Sequence, residues 1–502
     1  MQDIGVTVQP GQAQPLYQQI FDQIADRIRS GAFPEGYRLP PTRSLASELG
    51  THRNTVVRAY AELEAAGFLV STVGRGTFVK AWRGDSVAAA PSAPVEGSLP
   101  WTSLLSGAVR SEPIRRFVRN RRTPAPRDVI DLTKMQPPDE LLPLELYRRC
   151  LDHVLRTHGE RVLGYAAKEG HRRLRARIAE DLARRGVPSA VDDLIVTTGS
   201  QQGLDLIART LLDPGDVVVT HASTYAGALQ VFAASGAHVV GVPSDGDGPE
   251  LEALRRLGAR RPKLLYLMPN HANPTGACMS RERRAAVLAW ARDAQVAVIE
   301  DDYAADLELD GAPLPPAMRA LDPDVLHVGT FSKRLIPALR IGYVVAPPSL
   351  RPHLIAMKHT TDLGCSAINQ LALAEFLDRG YLVAHLNRIQ PAYRARRDAL
   401  LDALRKHLPS AIRWQRPTRG VSLWLELPPD LAPERIFSEA TRRKVLVAPG
   451  QHYAVDDAIP SGVRMNFCWE PEDRLREGAA RLGEAVAAAM QSDRSGPVVD
   501  LV

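Results

Sequence analysis

The sequence predicts an α/β protein with a small helical unit in front, and two patterns carry this prediction. Within residues 1–80, apolar side chains recur at helical spacing and are followed by two short β-type runs. From Val129 onward, runs such as LIVTTG, VVVTH and VAVIEDDY alternate with helical stretches, which is typical of a mostly parallel sheet with helices on both faces. We therefore expect a winged helix-turn-helix at 1–80, a linker and basic arm at 81–128, and an α/β domain at 129–490.

Composition is that of a folded globular protein. Hydrophobic residues make up 45% of the 502 residues and charged residues 24%, which excludes the disordered and fibrous classes. A membrane-spanning helix needs about 20 consecutive apolar residues, and the sequence has no such run. The N-terminal stretch MQDIGVTVQP lacks the basic region of a signal peptide, and the four cysteines lack the spacing of zinc or redox motifs. We expect a cytoplasmic protein with reduced cysteines and no metal.

The positive charge is concentrated on the N-terminal side. Residues 1–128 carry 16 Lys/Arg against 11 Asp/Glu, a net +5 of the total +6. Much of this excess lies between Arg110 and Arg127, where seven arginines accompany one glutamate. We expect this basic arm either to contact DNA phosphates or to pack on a partner subunit.

Three helices and a hairpin are predicted in the first part. The first helix follows Pro15 and buries residues that recur every four positions: Leu16, Ile20, Ile24 and Ile28. The second covers PTRSLASELG, with Thr42 as N-cap, Leu45 and Leu49 buried and Gly50 in a left-handed turn. The third follows Thr51 as N-cap, ends at Gly67, and turns four residues inward: Val56, Val57, Tyr60 and Leu63. FLVSTVGRGTFV then reads as a hairpin, or wing.

The second and third helices have the layout of a helix-turn-helix. In the third helix, Arg53 suits guanine and Asn54 suits adenine through paired hydrogen bonds, and Thr55 lies beside them. Three further arginines suit phosphates or a minor groove: Arg43, Arg58 and Arg75. A three-helix protein-interaction module is the alternative, and the net charge of only +1 over residues 1–80 favours it.

The stretch LPPTRSLASELGTHRNTVVRAYAELEAAGFLVSTVGRGTFV resembles the winged helix of the GntR superfamily. The resemblance extends from Pro15 to Val79 and covers the second helix, the recognition helix and the wing without a gap. It implies binding to double-stranded DNA.

Four strands of the second part end in polar residues, and ligands of such sheets gather at the carboxyl ends of strands. VTTGSQQGL offers a helix N-terminus to a phosphate, and MPNHANPTG exposes Asn273. VIEDDY places three acids at a strand end, and GTFSKRLIPALRIGY carries Lys333 and Arg340. Each motif has an ordinary explanation when taken alone, such as a capped helix, an Asn-Pro turn or a solvated lysine.

Taken together and in this order, the four motifs resemble the pyridoxal-phosphate site of the fold type I aminotransferases, over about Val129 to Leu482. With the GntR-like head, the chain resembles the MocR-type regulators, and the resemblance also implies a small C-terminal α+β subdomain and a homodimer. LGYAAKEGHRRLRARIA and GVRMNFC fit the same family.

The resemblance implies roles for individual residues. Lys333 matches the lysine that forms a Schiff base with the cofactor, and Asp301 the acid at the pyridine nitrogen. Tyr303 and Asn273 match donors to the ring hydroxyl, and Tyr225 matches the residue stacked on the ring. Arg464 matches the arginine that binds an α-carboxylate. Four residues match phosphate ligands: Ser200, Gln201, Thr330 and Arg340. Tyr165 matches a tyrosine that, in the family, reaches the phosphate of the neighbouring subunit across the dimer interface. Asp302 and Ser332 receive no role.

One position departs from the family branch that senses γ-aminobutyrate, because Gly227 stands where that branch has an arginine.

The expected function is a transcription regulator in which an amino compound, or pyridoxal phosphate itself, binds and alters DNA binding. Two alternatives stay open: a working aminotransferase with an accessory head, and a binding module that has lost the cofactor. Lys333 and Asp301 together argue against the second.

Overall fold

The computed structural model describes residues 6–9, 14–29, 33, 36–72, 76–80, 99, 101–119, 126, 128–304, 306–311, 313–455 and 460–492. The chain divides into two compact units, Met1–Trp101 and Thr102–Val502. No helix within the described residues is long and apolar enough to cross a membrane.

Within its described residues, the part of the first unit up to Lys80 forms three helices and a two-stranded antiparallel hairpin, as the sequence predicts. Its helical core buries Ile20, Ile24 and Ile28 together with Leu45 and Leu63. Gly50 (φ 61°) and Gly67 (φ 81°) adopt the left-handed conformation where the second and third helices end, which glycine does at little cost. The elements are α1 (Leu16–Arg29), α2 (Thr42–Glu48), α3 (Arg53–Ala65), β1 (Leu69–Thr72) and β2 (Gly76–Val79).

Three local predictions in this unit are wrong. Thr42 is the first residue of α2 and Pro41 occupies the N-cap, while His52 rather than Thr51 is the N-cap of α3. Neither cap position accepts a side-chain hydrogen bond. Val57 is 41% exposed. The inward face of α3 is formed by side chains three or four residues apart, namely Val56, Ala59, Tyr60 and Leu63, and Val57 does not belong to this series.

The second unit is built on a seven-stranded sheet with the order β4-β12-β11-β10-β9-β5-β6. All neighbouring pairs are parallel except the two that β12 makes. The strands of this unit are β3 (Ile130–Asp131), β4 (Leu194–Thr197), β5 (Val217–His221), β6 (His238–Val242), β7 (Ser244–Asp245), β8 (Gly248–Pro249), β9 (Leu264–Leu267), β10 (Ala297–Asp302), β11 (Leu326–Thr330), β12 (Gly342–Val345), β13 (Ser422–Glu426), β14 (Val445–Leu446), β15 (Ala448–Pro449) and β16 (Gly462–Asn466).

Helices cover both faces of this sheet. Both faces of β9 are therefore buried, which explains its continuous apolar sequence LLYL. Tyr266 packs with Phe232 in one core, whereas Leu265 packs with Val287 in the core of the opposite face. The helices are α4 (Trp101–Leu104), α5 (Glu112–Arg119), α6 (Leu144–His158), α7 (Arg172–Arg184), α8 (Ser200–Leu211), α9 (Ala226–Ala234), α10 (Leu251–Leu257), α11 (Arg281–Asp293), α12 (Met318–Leu321), α13 (Arg351–Thr361), α14 (Ala367–Asp378), α15 (Tyr381–His407), α16 (Pro433–Arg442) and α17 (Glu472–Ser492).

A small C-terminal subdomain completes the second unit. The strands β13, β16 and β15 form an antiparallel sheet, and α15, α16 and α17 pack together with it around one core that includes Leu423, Ile436 and Leu482. This arrangement is the α+β subdomain that the sequence leads us to expect.

The basic arm has more structure than its linker-like composition predicts. Its described part forms α4 and α5, and α5 packs on α9 of the same unit. Arg116 of α5 donates a 2.6 Å hydrogen bond from Nη1 to the carbonyl oxygen of Gln451. The amphipathic pattern of α5, hidden among its arginines, explains why it folds onto the larger unit.

Candidate functional site

The four polar motifs of the second unit meet at one edge of the large sheet. They follow β4, β9, β10 and β11, and the last three of these strands are neighbours in the sheet. Together they line a cavity of about 300 Å³. Its predicted site residues are Ser200, Gln201, Tyr225, Asn273, Asp301, Tyr303, Thr330, Lys333, Arg340 and Arg464, and it also contains Met135, Gly199, Met268 and Ser332.

One end of the cavity is suited to an anion. The backbone N–H groups at the N-terminus of α8, which starts at Ser200, are free to bind a ligand because a helix leaves its first N–H groups unpaired. The guanidinium of Arg340 lies over Gly199 and donates a 3.0 Å hydrogen bond to the carbonyl of Thr198. Gly342 lets β12 approach this helix, since a Cβ there would lie 2.7 Å from the Ser200 nitrogen.

Lys333 follows β11 and lines the cavity. Its Nζ donates a 2.8 Å hydrogen bond to the carbonyl oxygen of Met135. Burial lowers the pKa of the Lys333 ammonium, although the Cys468 thiol opposes the shift, and the guanidinium groups of Arg464 and Arg340 lower it further. The amine therefore reaches its neutral, nucleophilic form at a lower pH than an exposed lysine.

Asp301 lies at the end of β10, on the floor of the cavity, and is 3% exposed. Its Oδ2 accepts a 2.7 Å hydrogen bond from the hydroxyl of Tyr266, whereas its Oδ1 has no partner among the described residues. Burial raises the pKa of this carboxyl to about 7, the Tyr266 hydrogen bond opposes the shift, and Asp302 adds to it. A buried carboxylate oxygen without a partner is stable only if a cationic or hydrogen-bond donor group of a ligand binds to it.

The sequence-based expectations did not include Tyr266. It lies on β9 with its ring fully buried against Phe232, at 5.7 Å between centroids. A signal was present, because a tyrosine in an otherwise aliphatic buried strand needs a partner for its hydroxyl.

Tyr225, Gln201 and Gly227 form a connected group beside the cavity. The Tyr225 hydroxyl donates a 3.1 Å hydrogen bond to Gln201 Oε1, and Gln201 Nε2 donates a 2.8 Å bond to the Gly227 carbonyl. A Cβ at Gly227 would lie 2.4 Å from the Tyr225 ring. Any side chain at position 227 would therefore displace the ring.

Arg464 lies on β16, where the small subdomain meets the cavity. Its Nη1 donates a 3.0 Å hydrogen bond to Asn273 Oδ1, and its guanidinium carbon lies 5.1 Å from the centre of the Tyr453 ring. Its Nε is buried without a partner among the described residues. This N–H donor is therefore available to an acidic group of a ligand.

The two adjacent residues without a predicted role behave differently. Ser332 lines the cavity, and its backbone N–H donates to Thr330 Oγ1 at 3.1 Å. Asp302 instead faces away, where it pairs with Arg185 and accepts a 2.8 Å hydrogen bond from Asn270. Asp302 therefore supports the floor of the cavity from outside.

In the first unit, Arg53, Asn54 and Thr55 form the first turn of α3, and Arg43 lies on α2. Arg43, Arg53 and Asn54 are exposed, and Thr55 is half-buried. Arg58 is already engaged, since its Nε lies 3.1 Å from Glu62 Oε1 and its guanidinium stacks 3.6 Å from the centre of the Tyr17 ring. Arg75 lies outside the described residues.

Comparisons with known proteins agree with this division. The model for aminotransferase class I and II matches residues 127–482, and the model for bacterial regulatory proteins of the gntR family matches residues 16–79. The probable rhizopine catabolism regulatory protein MocR of Rhizobium meliloti is 32% identical over 481 residues, 95% of each chain. The chain belongs to the MocR-type regulators. It is a GntR DNA-binding domain fused to an aminotransferase-like domain.

The aminotransferase-like part of this MocR-type regulator is also similar to enzymes. The 2-aminoadipate transaminase of Thermus thermophilus is 33% identical over 396 residues, 77% of this chain and 98% of the enzyme. The crystal structure of LysN, the α-aminoadipate aminotransferase of the same species, matches with a TM-score of 0.70 and 31% identity, covering 78% of this chain and 100% of LysN. That structure is of a complex with N-(5'-phosphopyridoxyl)-L-leucine.

The cofactor of this family is pyridoxal 5'-phosphate, and the residues of the MocR-type cavity fit it. Among the residues that line this cavity, three buried polar atoms have no partner within the described part of the chain: Asp301 Oδ1, the Tyr303 hydroxyl and Arg464 Nε. A protonated ring nitrogen, a ring hydroxyl and a carboxylate are groups that satisfy such atoms. The N-terminus of α8 and the guanidinium of Arg340 are groups that would suit a phosphate.

Tyr165 does not line the cavity of its own chain. It is 86% exposed, and two other apolar residues of the second unit, Leu163 and Leu363, are 68% and 53% exposed. Its role across a dimer interface stays a prediction.

Proposed function

We propose that this MocR-type regulator responds to an amino compound, which binds in the cofactor-bearing cavity and changes the affinity of the GntR domain for DNA. One observation carries the proposal. The cavity places the amine of Lys333, the carboxyl of Asp301 and the guanidinium of Arg464 around one space, in the same chain as a DNA-binding domain.

Pyridoxal phosphate, when bound, supplies an aldehyde that combines with primary amines and a ring that withdraws electrons. Lys333 would hold it covalently through its neutral amine. Ser200, Gln201, Thr330 and Arg340 would hold the phosphate, with Tyr165 of a second copy of the chain. Asn273 and Tyr303 would donate to the ring hydroxyl, and Tyr225 would cover the face of the ring. The side-chain amide of Gln201 already hydrogen-bonds to Tyr225 and Gly227. We therefore expect Gln201 to contribute less to phosphate binding than the other three residues of this chain.

Asp301 would hold a proton on the ring nitrogen. In the cofactor-free protein burial raises the pKa of this carboxyl to about 7, so a cationic partner is needed to keep it ionised at neutral pH. The Tyr266 hydroxyl stabilises the charge from the other side.

Arg464 would bind the α-carboxylate of an amino-acid effector. Its contact with Asn273 orients the guanidinium, and its Nε has no partner within the described part of the chain, so one donor would be available to the carboxylate. In the first unit, Arg53, Asn54 and Thr55 would contact base edges, and Arg43, Arg58 and Arg75 would contact phosphates.

We further propose a homodimer that acts in the cytoplasm, where chromosomal DNA lies. The exposed side chains of Leu163, Tyr165 and Leu363 support an interface between two copies, because exposed apolar groups are often covered by a partner.

A second candidate is a working aminotransferase with an accessory head. It is favoured by the complete set of cavity residues and by the similarity to the 2-aminoadipate transaminase. Turnover of an amino donor with a 2-oxo acid, assayed by product, separates the two candidates, since a pure regulator yields none above background.

The proposal is tested by measuring DNA affinity with and without ligands. A binding site is first selected from random duplexes with the cofactor-loaded full chain, and its Kd is then measured with each standard amino acid, with γ-aminobutyrate and with added pyridoxal phosphate. At least one amino compound should change the Kd by about fivefold or more, and the Arg464→Gln variant should lose the response to amino acids. If pyridoxal phosphate alone changes DNA affinity and no amine does, the cofactor is the effector. If no ligand changes it, the proposal is wrong.

A further inference from the structure

A second cavity of about 330 Å³ adjoins the cofactor cavity. The two share Tyr225, Asn273 and Arg464 in their walls. An amino acid whose α-carboxylate binds Arg464 would therefore have the second cavity within reach of its side chain.

The walls of the second cavity are mostly apolar. Leu229 of α9, Tyr453 and Ala454 are all buried there, and Phe117 of α5 closes the cavity from the basic arm while remaining 61% exposed. The other apolar side chains are Pro113, Ala226, Ala448 and Val455.

Within the described residues, three basic side chains line this cavity: Arg464, Arg116 and His452. Apart from Arg464, its only lining arginine within the described residues is Arg116. Arg116 Nη1 donates to the carbonyl of Gln451 at 2.6 Å, and its Nε lies 3.9 Å from the Glu112 carboxylate, which also lines the cavity. Glu112 would repel an acidic side chain, and the commitment of Arg116 leaves little to offset that repulsion.

We infer that the second cavity binds the side chain of the effector, that the effector is an amino acid with a bulky apolar side chain, and that α5 of the basic arm forms one wall of its site. This inference rests on the proposed function, because it names the class of amino compound that the regulator binds. It excludes dicarboxylic amino acids, whose second carboxylate would lie near the Glu112 carboxylate.

Binding of the effector would also affect α5 of the basic arm. In sequence α5 follows the segment that joins the two units, so an occupant that packs on Phe117 contacts the chain close to that connection. Backbone hydrogen exchange within 112–119 should slow when a bulky amino acid binds and stay unchanged when alanine binds.

The experiment is a titration of the cofactor-loaded full chain with L-phenylalanine, L-leucine, L-alanine and L-glutamate, followed by the visible absorbance of the cofactor. L-Phenylalanine and L-leucine should bind at least about tenfold more tightly than L-alanine, because the added apolar group fills the second cavity. L-Glutamate should bind no more tightly than L-alanine.

Two neighbouring variants provide the control. Phe117 and Val118 are equally exposed, at 61% and 60%, but only Phe117 lines the cavity. Phe117→Ala should weaken L-phenylalanine binding by about fivefold without changing L-alanine binding, and Val118→Ala should change neither.

The outcomes separate this inference from the proposed function. If none of the four amino acids changes the absorbance, the apolar side-chain site is wrong, whereas the proposed function is decided by its own DNA-affinity test with the wider set of amino compounds. If all four bind but L-glutamate or L-alanine equals L-phenylalanine, effector binding stands and the apolar side-chain site is wrong. If L-phenylalanine is preferred but Phe117→Ala and Val118→Ala behave alike, α5 is not a wall of the site.

Discussion

Tyr266 donates a 2.7 Å hydrogen bond to Oδ2 of Asp301, while Oδ1 of the same carboxylate has no partner among the described residues. One oxygen is thus fixed by the protein and the other is left for a ligand. The buried hydroxyl sets the orientation of the acid and offsets part of the cost of ionising it.

The first prediction concerns this hydrogen bond. Tyr266→Phe removes a donor to the carboxylate and so raises the pKa of Asp301 further. Affinity for pyridoxal phosphate at neutral pH should fall about tenfold, the usual effect of losing a hydrogen bond to a charged group. Titration of cofactor-free protein by visible absorbance measures it. The loss should shrink at higher pH, where Asp301 ionises without help, and an equal loss at every pH would contradict this role.

Tyr343→Phe is the matched control. Tyr343 is also a buried tyrosine of the sheet, but its hydroxyl lies 3.4 Å from Arg185 and does not line the cavity. Its affinity for the cofactor should equal that of the unmodified protein.

The second prediction concerns the stability of the cofactor-free protein. An unfolded aspartic acid ionises near pH 3.9, whereas burial raises the pKa of Asp301 to about 7 in the folded state. Between these values the folded protein holds the additional proton, so the Asp301 contribution to the free energy of unfolding decreases as pH rises and is lost above about pH 7. Asp301→Asn has no such titration.

The difference between Asp301→Asn and the unmodified chain isolates this effect from other titrating groups. The variant should gain roughly 4 kcal/mol relative to the unmodified protein between about pH 4 and pH 8. Denaturant unfolding followed by tryptophan fluorescence measures it, since Trp290 and Trp424 report on the larger unit. A difference that is independent of pH would show that Asp301 ionises normally.

Much of the architecture could be predicted from the sequence, because it depends on local patterns. The spacing of Ile20, Ile24 and Ile28 defines one face of α1, and the buried runs of β4 and β9 are too short and too apolar for surface helices. The four motifs lie at strand ends, and a parallel sheet brings such ends together whatever the intervening sequence.

What the sequence could not provide depends on packing between distant segments. The contact of Tyr266 with Asp301 joins neighbouring strands whose register is a tertiary property. The folding of α5 onto α9 likewise depends on an apolar surface supplied by another part of the chain, so composition alone indicates only a linker there. The second cavity follows from that packing and has no local signature.

The third prediction concerns covalent attachment of the cofactor. Lys333→Ala should bind pyridoxal phosphate without a covalent bond and keep its fold, because the groups at the phosphate end are unaffected. Borohydride reduction followed by peptide mass spectrometry should label the peptide that contains Lys333 in the unmodified protein and no peptide in the variant. Lys168→Ala, which removes an exposed lysine, should label like the unmodified protein. Label on any other lysine would overturn the assignment.

The fourth prediction concerns DNA recognition by α3. Arg53→Ala and Asn54→Ala should each weaken binding to the selected duplex by about 1–3 kcal/mol and relax the preference at one base position. Arg43→Ala and Arg75→Ala should weaken binding to all sequences alike. Arg58→Ala should cost less, under about 1 kcal/mol, since Glu62 and Tyr17 already engage its guanidinium. Undiminished affinity of the Arg53→Ala, Asn54→Ala double variant would show that another element reads the DNA.

The last prediction concerns the dimer. If Tyr165 completes the phosphate site of a second copy, Tyr165→Phe should lower cofactor affinity about tenfold, although the residue is 86% exposed on its own chain. Mixing Tyr165→Phe chains with Lys333→Ala chains provides the decisive test. In a mixed dimer one site receives both changes, while the other receives an intact lysine from one chain and an intact tyrosine from its partner. Sites of normal affinity should therefore reappear in the mixture, up to one in each mixed dimer, whereas separate sites would give none. A monomer in light scattering that binds the cofactor with full affinity would refute both the interface and the role of Tyr165.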